Sequence, residues 1–217
     1  MLVLLPPSEG KARPEQGEPV DLDSLVYADE LGERREKLLD AFDPRLRKEP
    51  AAPAAAVYTG VLYGRLGLSE LPAKAQRRVL IASALWGVVA PGDRIPFYKF
   101  PPKTRLEGFE APNAYWRPAL AHALPDEQGD LVVDMRSGAY VPAWKPRRAT
   151  LLAVRAFTEV DGERKAVSHM AKAVRGDVAR ALLSKKKSPS DPESAAAIVE
   201  AAGFSVELSG GHLNVTV

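Results

Sequence analysis

The sequence begins with a segment, LVLLPPSEGK at residues 2–11, in which four apolar residues run into two prolines and a compact polar group. A short, continuous apolar run such as Leu2–Leu5 is typical of a strand that is covered on both faces of its sheet. A buried strand that stops abruptly at serine, glutamate and lysine side chains indicates that its end forms part of a site. The other predicted strands then decide which loops would lie beside this one.

Apolar runs predict three further strands, at Val79–Ser83, Leu131–Met135 and Thr150–Val160. After the last of these, Asp161–Gly162 predicts a hairpin turn into a short return strand around Lys165–Val167. Two runs near the end of the chain predict a closing hairpin, at Phe204–Leu208 and Leu213–Val217. The sequence therefore predicts a sheet that contains both buried strands and hairpins.

Helices are predicted between these strands. Apolar residues spaced by three and four predict a helix over Ser168–Leu183, and Glu193–Ala202 predicts a shorter one. Asp21 and Asp23 are candidate caps for an earlier helical stretch, with a break near Gly32. Strands interleaved with helices and closed by an antiparallel pair predict class α/β (α+β): a mixed β-sheet flanked by helices, with a C-terminal β-hairpin. Residues 1–217 are predicted to form a single domain.

The composition excludes several classes of protein. The chain has 217 residues and no cysteine, which excludes a disulfide-built secreted protein, a thiolate metal site and a cysteine nucleophile. No apolar run approaches the roughly 20 residues of a membrane span, and the apolar start is too short for a signal peptide. We therefore expect a cytoplasmic protein that does not bind membranes.

Charge is unevenly distributed, although the net charge is only +2. The segment Asp21–Glu30 is acidic, whereas Arg94–Arg105 and Lys145–Lys187 are basic. Such a distribution allows a local positive field on a nearly neutral chain.

Three predicted strands end in polar loops, and ligand sites in open α/β sheets lie outside the carboxyl ends of strands. If the strands are parallel, the loops converge. Ser8 and Lys11 would then hold an anion, with Glu9 or Asp134 as general acid or base. The hydroxyls of Tyr58, Tyr98 or Tyr140 would position the substrate. The candidate catalytic residues are Ser8, Glu9, Lys11, Tyr58, Asp134 and Tyr140. The alternatives are an ordinary surface turn at PPSEGK, an arginine partner for Asp134, and tyrosines that only fill the packing.

Two basic segments are candidate contacts for nucleic acid. Arg94 and Lys99 lie among aromatic residues in RIPFYKFPPKTR, a mixture in which basic groups meet phosphates and aromatic rings stack on bases. Lys165, Lys172 and Arg175 lie on the polar side of the predicted C-terminal helix and its approach. The alternatives are a loop shaped by prolines and the ordinary charged coat of a surface helix.

No cofactor and no metal are expected. The three histidines, His122, His169 and His212, lack the spacing of a zinc motif. The chain contains neither of the glycine-rich phosphate motifs, G-x-x-x-x-G-K-[ST] and G-x-G-x-x-G, and no G-x-S-x-G elbow.

Taken in order, several segments resemble the YaaA family of bacterial peroxide-stress proteins. After the opening loop come YTGVLYG (58–64), SALWGVVAPGDRIPFYKF (83–100), LVVDMRSGAYVPAWKP (131–146) and VSHMAKAVRGDVARALL (167–183). The ordered set covers most of the chain, from Leu2 to about Leu183.

The resemblance implies a cytoplasmic protein of the hydrogen peroxide response, which limits iron-dependent damage by keeping free iron low. It also implies an unusual mixed α/β fold, a YaaA-like fold, with a positively charged cleft and DNA binding. A basic helix segment of the family falls on Ala171–Gly176, which includes Lys172 and Arg175. We therefore expect sequence-independent DNA binding. The alternative is an enzyme that acts on a small anionic or nucleotide-like substrate at loops 7–11 and 134–140.

Overall fold

The computed structural model describes the backbone of residues 1–160, 163–166 and 170–217, and the side chains of residues 1–158 and 170–217. The strands within these ranges are β1 (Leu2–Leu5), β2 (Ala51–Pro53), β3 (Val79–Ser83), β4 (Gly87–Val89), β5 (Arg94–Pro96), β6 (Leu131–Asp134), β7 (Thr150–Val160), β8 (Glu163–Ala166), β9 (Ser205–Ser209) and β10 (His212–Thr216). The α-helices are α1 (Ala28–Phe42), α2 (Ala54–Val57), α3 (Val61–Leu66), α4 (Ala73–Gln76), α5 (Pro112–Ala123), α6 (Ala171–Leu183) and α7 (Pro192–Glu200). Short 3-10 helices lie at Leu22–Ser24, Pro44–Lys48, Leu68–Glu70 and Val141–Ala143.

Eight of the described strands form one mixed sheet, which confirms the predicted fold class. Its order is β4-β3-β1-β6-β7-β10-β9, with β8 paired to β7, while β2 and β5 pair separately. The neighbours β3, β1, β6, β7 and β10 run parallel, and β4, β8 and β9 are antiparallel to their partners. Val3 lies opposite Val79 on one side of β1 and opposite Val133 on the other. Because β1 is central, its apolar residues are covered on both faces, as the sequence predicts.

The helices lie against this sheet and against one another. Helix α3 packs on α6, α6 packs on β7 and α7, and α1 packs on α5. The C-terminal hairpin is confirmed, and its turn residues Gly210 and Gly211 both have positive φ angles of 55° and 76°. Two consecutive residues with positive φ match the tight turn that such hairpins favour.

The predicted break near Gly32 is wrong, because α1 continues through this residue. Leu31, Leu38 and Leu39 are buried along one face of the helix, and Arg35 is fully buried beside them. The Arg35 guanidinium donates hydrogen bonds to the carbonyl groups of Val26, Trp86 and Val88. Burial of this face outweighs the cost of about 1 kcal/mol that a glycine imposes on a helix interior.

The predicted helix over 168–183 begins at Ala171 in the described residues. Its predicted first residues, Ser168 and His169, lie outside the described set, as does the predicted turn at Asp161–Gly162. The side chain of Lys165 also lies outside the described set, although its backbone belongs to β8.

Candidate functional site

The parallel strands β1 and β6 bring the loops that follow them together at one edge of the sheet, as the sequence predicts. Of the third predicted loop, residues 91–94 do not line this edge, whereas residues 98–102 reach it after β5, which pairs with β2 outside the main sheet. The loops after β1, β5 and β6 meet α3 and α6 around a cleft of about 700 Å³, which we call the strand-end cleft. Its walls come from residues 6–11, 60–63, 98–102, 137–140 and the first turns of α6. A cavity of this size is typical of small-ligand sites.

Backbone pairing fixes the loop that follows β1. Pro6 and Pro7 have no N–H groups to donate to a neighbouring strand, so β1 ends there. The loop then forms an isolated β-bridge between Lys11 and Tyr58, supported by a hydrogen bond from Thr59 N to the Gly10 carbonyl at 3.0 Å. The pairing positions the Lys11 side chain in the cleft.

Side chains hold the same loop from the other side. The Tyr63 hydroxyl donates to the Pro6 carbonyl at 2.7 Å, and the Ser8 hydroxyl donates to the Thr59 carbonyl. Gly60 has a φ of 110°, and a Cβ there would lie 2.7 Å from Ser8 Oγ. Ser8 lines the cleft as predicted, but its proton is directed at the protein backbone and not at an incoming anion.

Lys11 lies in an unusual environment for a lysine. Its Nζ donates to the Ser8 carbonyl at 2.7 Å and lies 4.6 Å from the centre of the Tyr98 ring and 5.7 Å from that of Tyr58. Partial burial lowers the pKa of Lys11 from 10.5 to about 8, and the nearby Glu9 carboxylate opposes this shift. Contacts with ring faces favour the ammonium form only modestly.

A chain of hydroxyl groups lies behind Lys11. The Tyr98 hydroxyl is 2.6 Å from that of Tyr58 and 2.8 Å from Ser83 Oγ. Burial raises the pKa of Tyr98 to about 12 and that of Tyr58 well above 10, so both stay protonated. Tyr58 was a candidate catalytic residue, but it is buried behind Tyr98, which faces the cleft. Ser83 is a member of this hydroxyl chain that was not predicted, although a serine at the end of an apolar strand is the signal that could have indicated it.

The loop after β6 supplies Tyr140 and is held by a buried ion pair. Arg136 donates to both carboxylate oxygens of Asp134, at 2.9 and 2.7 Å, and the two side chains are 3% and 4% exposed. Arg136 also donates to the carbonyl groups of Tyr140 and Trp144. Burial raises the pKa of the Tyr140 hydroxyl, which remains at the wall of the cleft.

The structure therefore corrects the role expected of Asp134 as a general acid or base. Its carboxylate faces Arg136 and the backbone N–H of Arg136, not the cleft. This is the arginine pairing that the sequence analysis kept as the alternative for Asp134.

Close packing of α3 against α6 places two cations on the opposite wall. A Cβ on Gly176 would lie 2.5 Å from the Leu62 carbonyl oxygen and 2.7 Å from Arg65 Cβ, so only glycine permits this approach. Lys172 and Arg175, which precede Gly176 on the helix, line the cleft.

These two cations have few partners. Lys172 lies 4.0 Å from Glu9, in an ion pair whose side chains are 58% and 95% exposed. Arg175 is half-buried, and its Nε has no hydrogen-bond partner among the described residues. Desolvation lowers the pKa of Arg175, and the nearby Asp134 carboxylate opposes this effect. A buried N–H without a partner is rare in proteins and is available to an anionic ligand.

Other predicted nucleic-acid contacts divide between the cleft and the rest of the surface. Lys99 is exposed at the edge of the cleft. Arg94 lies in β5 and donates to the Ala51 carbonyl at 2.5 Å, so it is a structural contact and does not line the cleft.

In the same segment, Tyr98 and Phe100 are buried, and the Phe97 ring is covered by Arg13 at 4.3 Å. The predicted stacking platform is therefore taken up by the protein itself.

Comparison with known proteins identifies the family. The chain matches the family model described as "Peroxide stress protein YaaA" over residues 15–209. The chain belongs to this family. It is 39% identical over 244 residues to a UPF0246 protein of Streptomyces coelicolor, which covers 95% of this chain and 92% of the relative. It is 34% identical over 239 residues to a UPF0246 protein of Corynebacterium glutamicum, covering 98% and 97% of the two chains.

The segments that carry the YaaA resemblance also build most of the cleft. YTGVLYG supplies 60–63, RIPFYKF supplies 98–100, LVVDMRSGAY supplies 137–140, and AKAVRG supplies Lys172 and Arg175. Among the described residues, four cations and one carboxylate line it: Lys11, Lys99, Lys172, Arg175 and Glu9.

Two further properties concern only the part of the chain that the structure describes. Its histidine, aspartate and glutamate side chains form no group of three or more that is suited to hold a metal ion. None of its helices has both the length and the apolar character required to cross a membrane.

Proposed function

We propose that this YaaA-family protein binds DNA without reading its sequence, through the strand-end cleft, as a cytoplasmic protein of the peroxide stress response. The observation that supports this most is the convergence of Lys11, Lys99, Lys172 and Arg175 on one cleft. Such a cluster meets phosphates through charge, and charge alone carries no sequence information.

The dimensions of the cleft suggest how DNA would lie. About 700 Å³ accommodates a nucleotide or a sugar phosphate but not a duplex. The DNA backbone would therefore cross the opening, where the exposed Lys99 and Lys172 side chains meet phosphates. Arg175 would reach a phosphate or sugar that enters the cleft. DNA to which the protein is bound would be shielded from the radicals that iron generates from peroxide. This shielding would limit iron-dependent damage indirectly.

Salt-dependent binding tests this proposal. Anisotropy of a labelled duplex is titrated with protein at roughly 50 and 150 mM salt, and we expect saturable binding that weakens with salt. Lys172→Gln and Arg175→Gln should each reduce the slope of log affinity against log salt by about 0.9 if each contacts one phosphate. The matched control is Lys74→Gln, an exposed lysine in α4, which precedes β3 and so lies towards the opposite edge of the sheet.

Two results would contradict DNA binding at the cleft. One is the lack of saturable binding at low salt. The other is a loss of affinity in Lys74→Gln as large as in the two cleft variants.

A second candidate function is an enzyme that acts on a small anionic or nucleotide-like substrate in the same cleft. The observation that favours it is Lys11, a partly buried amine held against Tyr98 and beside hydroxyl groups. A surface that only binds DNA has no need of a desolvated amine.

A further inference from the structure

We propose that Lys11 is a nucleophile that forms an imine with the open-chain carbonyl group of a sugar phosphate. The sugar phosphate is either a free molecule or the abasic residue of a DNA strand. The second source rests on the proposed DNA binding, whereas the first does not.

The position of the amine carries this inference. Among the described residues, Lys11 Nζ has no ion pair with a carboxylate, and its hydrogen bond goes to a neutral acceptor, the Ser8 carbonyl. The rings of Tyr98 and Tyr58 cover one side of it, and the cleft lies on the other. Lys172, by contrast, is exposed and paired with Glu9. An amine that makes no ion-pair contact and is open to a cavity is the arrangement that imine-forming lysines use.

The electrostatics agree with this geometry. With a pKa of about 8, roughly one Lys11 in ten is neutral at pH 7, against about one in three thousand for an ordinary lysine. Only the neutral amine attacks a carbonyl carbon, so this difference gives Lys11 a large advantage over a lysine with the ordinary pKa.

The opposite wall of the cleft suits the phosphate of the same molecule. Arg175 presents a buried Nε that no described residue satisfies, and Lys172 lies one turn before it on α6. A guanidinium and an ammonium group together are a typical phosphate site. A carbonyl compound with a phosphate would thus be held at both ends.

The reaction requires no oxidant or reductant. The lone pair of Nζ forms a C–N bond to the carbonyl carbon, and the carbonyl π electrons move to oxygen, which takes a proton. The amine loses a proton, and the carbinolamine then expels its hydroxyl group as water to give the imine. Tyr140 lines the cleft, and burial raises the pKa of its hydroxyl, so it stays protonated at neutral pH and is available as a proton donor.

Reductive trapping tests the inference directly. Purified full-length protein is incubated with sodium cyanoborohydride and one of three probes: 2-deoxyribose 5-phosphate, 2-deoxyribose, or a duplex with one abasic site. Peptide mass spectrometry then locates the adduct. We expect it on Lys11, more strongly with the phosphate than with the uncharged sugar, and lost in Lys11→Arg, which keeps the charge but forms no imine. Lys186→Arg, an exposed lysine of the KKK tract, is the matched control and should change nothing.

The three probes distinguish the free sugar phosphate from the abasic DNA residue as the source of the carbonyl group. They also distinguish imine formation at Lys11 from DNA binding at the cleft. An adduct with the free sugar phosphate alone supports the small-molecule source, and it stands even if the duplex does not bind by anisotropy. An adduct with the abasic duplex supports the DNA source. Binding of the duplex without a Lys11 adduct from any probe overturns the imine and leaves the proposed DNA binding intact. An adduct spread equally over surface lysines also overturns it.

The pH profile of the wild-type protein supplies a readout that does not depend on any variant. The groups that face or surround Lys11 are Glu9, Tyr58, Tyr98, Tyr140, Lys172 and Arg175. Burial raises the pKa of the three tyrosines, so their hydroxyls stay protonated between pH 6 and pH 9, and we expect Lys11 to dominate the change. Initial trapping rates should rise to a midpoint near pH 8, whereas a profile that still climbs steeply above pH 9 would indicate an ordinary lysine.

Discussion

Strands β1 and β6 lie side by side and point in the same direction, and each leads into charged residues that are held very differently. At the end of β6, Asp134 and Arg136 form a closed pair whose oxygens and nitrogens are matched by one another and by backbone groups. After β1, Lys11 has one neutral acceptor among the described residues, and the Nε of Arg175, which lines the same cleft, has no partner among them. The charges after β6 have hydrogen-bond partners within the protein, whereas those around the cleft leave bonding capacity for a ligand.

This difference separates scaffold from site. The Asp134–Arg136 pair connects the end of β6 to the loop carbonyls of Tyr140 and Trp144, so it shapes the wall of the cleft without entering it. Lys11 and Arg175 are kept partly desolvated by the fold, which costs stability unless something binds there. The variants below test this separation, in order of decreasing expected effect.

Breaking the buried pair should have the largest effect on stability. Asp134→Ala leaves the Arg136 guanidinium buried and uncompensated, and we expect the free energy of unfolding to fall by about 3–5 kcal/mol. Urea denaturation measures the change. The control is Glu127→Ala, which removes an exposed pair with Arg148 and should cost less than about 1 kcal/mol. Equal losses in the two variants would show that Asp134 is not part of the scaffold.

Separating α3 from α6 should have an intermediate effect. Gly176→Ala forces a Cβ against the Leu62 carbonyl and Arg65, so we expect a loss of about 1–3 kcal/mol and weaker DNA binding as Lys172 and Arg175 shift. Thermal unfolding and anisotropy measure both effects. Gly64→Ala is the matched control, because a Cβ there meets nothing within 4 Å and alanine favours the helix by up to about 1 kcal/mol. Gly176→Ala without any loss of stability would contradict the proposed close approach.

Removing the charge of Lys11 should stabilise the protein at neutral pH. The native state holds its proton less tightly than the unfolded state, since the pKa falls from 10.5 to about 8. The charged form is therefore unfavourable in the native state below pH 8, and this cost disappears as the pH rises from about 8 to 10.5. Lys11→Met should raise the unfolding free energy by about 1 kcal/mol at pH 7, a value reduced for partial exposure and for the lost hydrogen bond to Ser8.

The pH dependence of that gain makes the test specific. The stability difference between Lys11→Met and the wild type, from urea denaturation at several pH values, should shrink towards pH 10.5. Lys172→Met, at an exposed position, should show no such trend. If the increase in unfolding free energy does not depend on pH, it comes from packing and not from removal of the buried charge.

Neutralising Glu9, the one carboxylate among the described residues that line the cleft, should have the smallest effect. Glu9→Gln removes a weak, exposed ion pair with Lys172, so the unfolding free energy should change by less than about 0.5 kcal/mol. DNA affinity at low salt should rise by about 1 kcal/mol, or roughly fivefold, because a negative charge near the phosphates is lost. Anisotropy measures the affinity, and a decrease would show that Glu9 positions Lys172 instead of opposing DNA.

Much of the fold follows from the sequence because buried strands are continuous apolar runs. Val79–Ser83 and Thr150–Val160 have the predicted bounds, and the convergence of the loops after β1 and β6 follows once these two strands are known to be parallel. The contribution of residues 98–102 depends instead on the separate pairing of β5 with β2. The continuity of α1 through Gly32 does not follow from the sequence. It depends on tertiary burial of Arg35 and its leucine neighbours, which local preferences do not contain.

The site was predicted less completely, for a related reason. Lys11, Tyr140, Lys99, Lys172 and Arg175 were each singled out, but in two separate hypotheses, and only the fold places them around one cleft. The role of Asp134 depends on which arginine pairs with it, and the sequence does not show that this is Arg136. The position of Tyr58 depends on whether its hydroxyl or that of Tyr98 lies nearer the cleft, which only the fold shows.

Lysine footprinting tests most directly the central claim that DNA binds at the strand-end cleft. The protein is acetylated briefly with and without a saturating duplex at low salt, and mass spectrometry quantifies each lysine. We predict that DNA protects Lys11, Lys99 and Lys172, whereas Lys74 reacts equally in both samples. Protection of Lys74 or of the 185–187 tract, with Lys11, Lys99 and Lys172 unchanged, would contradict the assignment of the cleft.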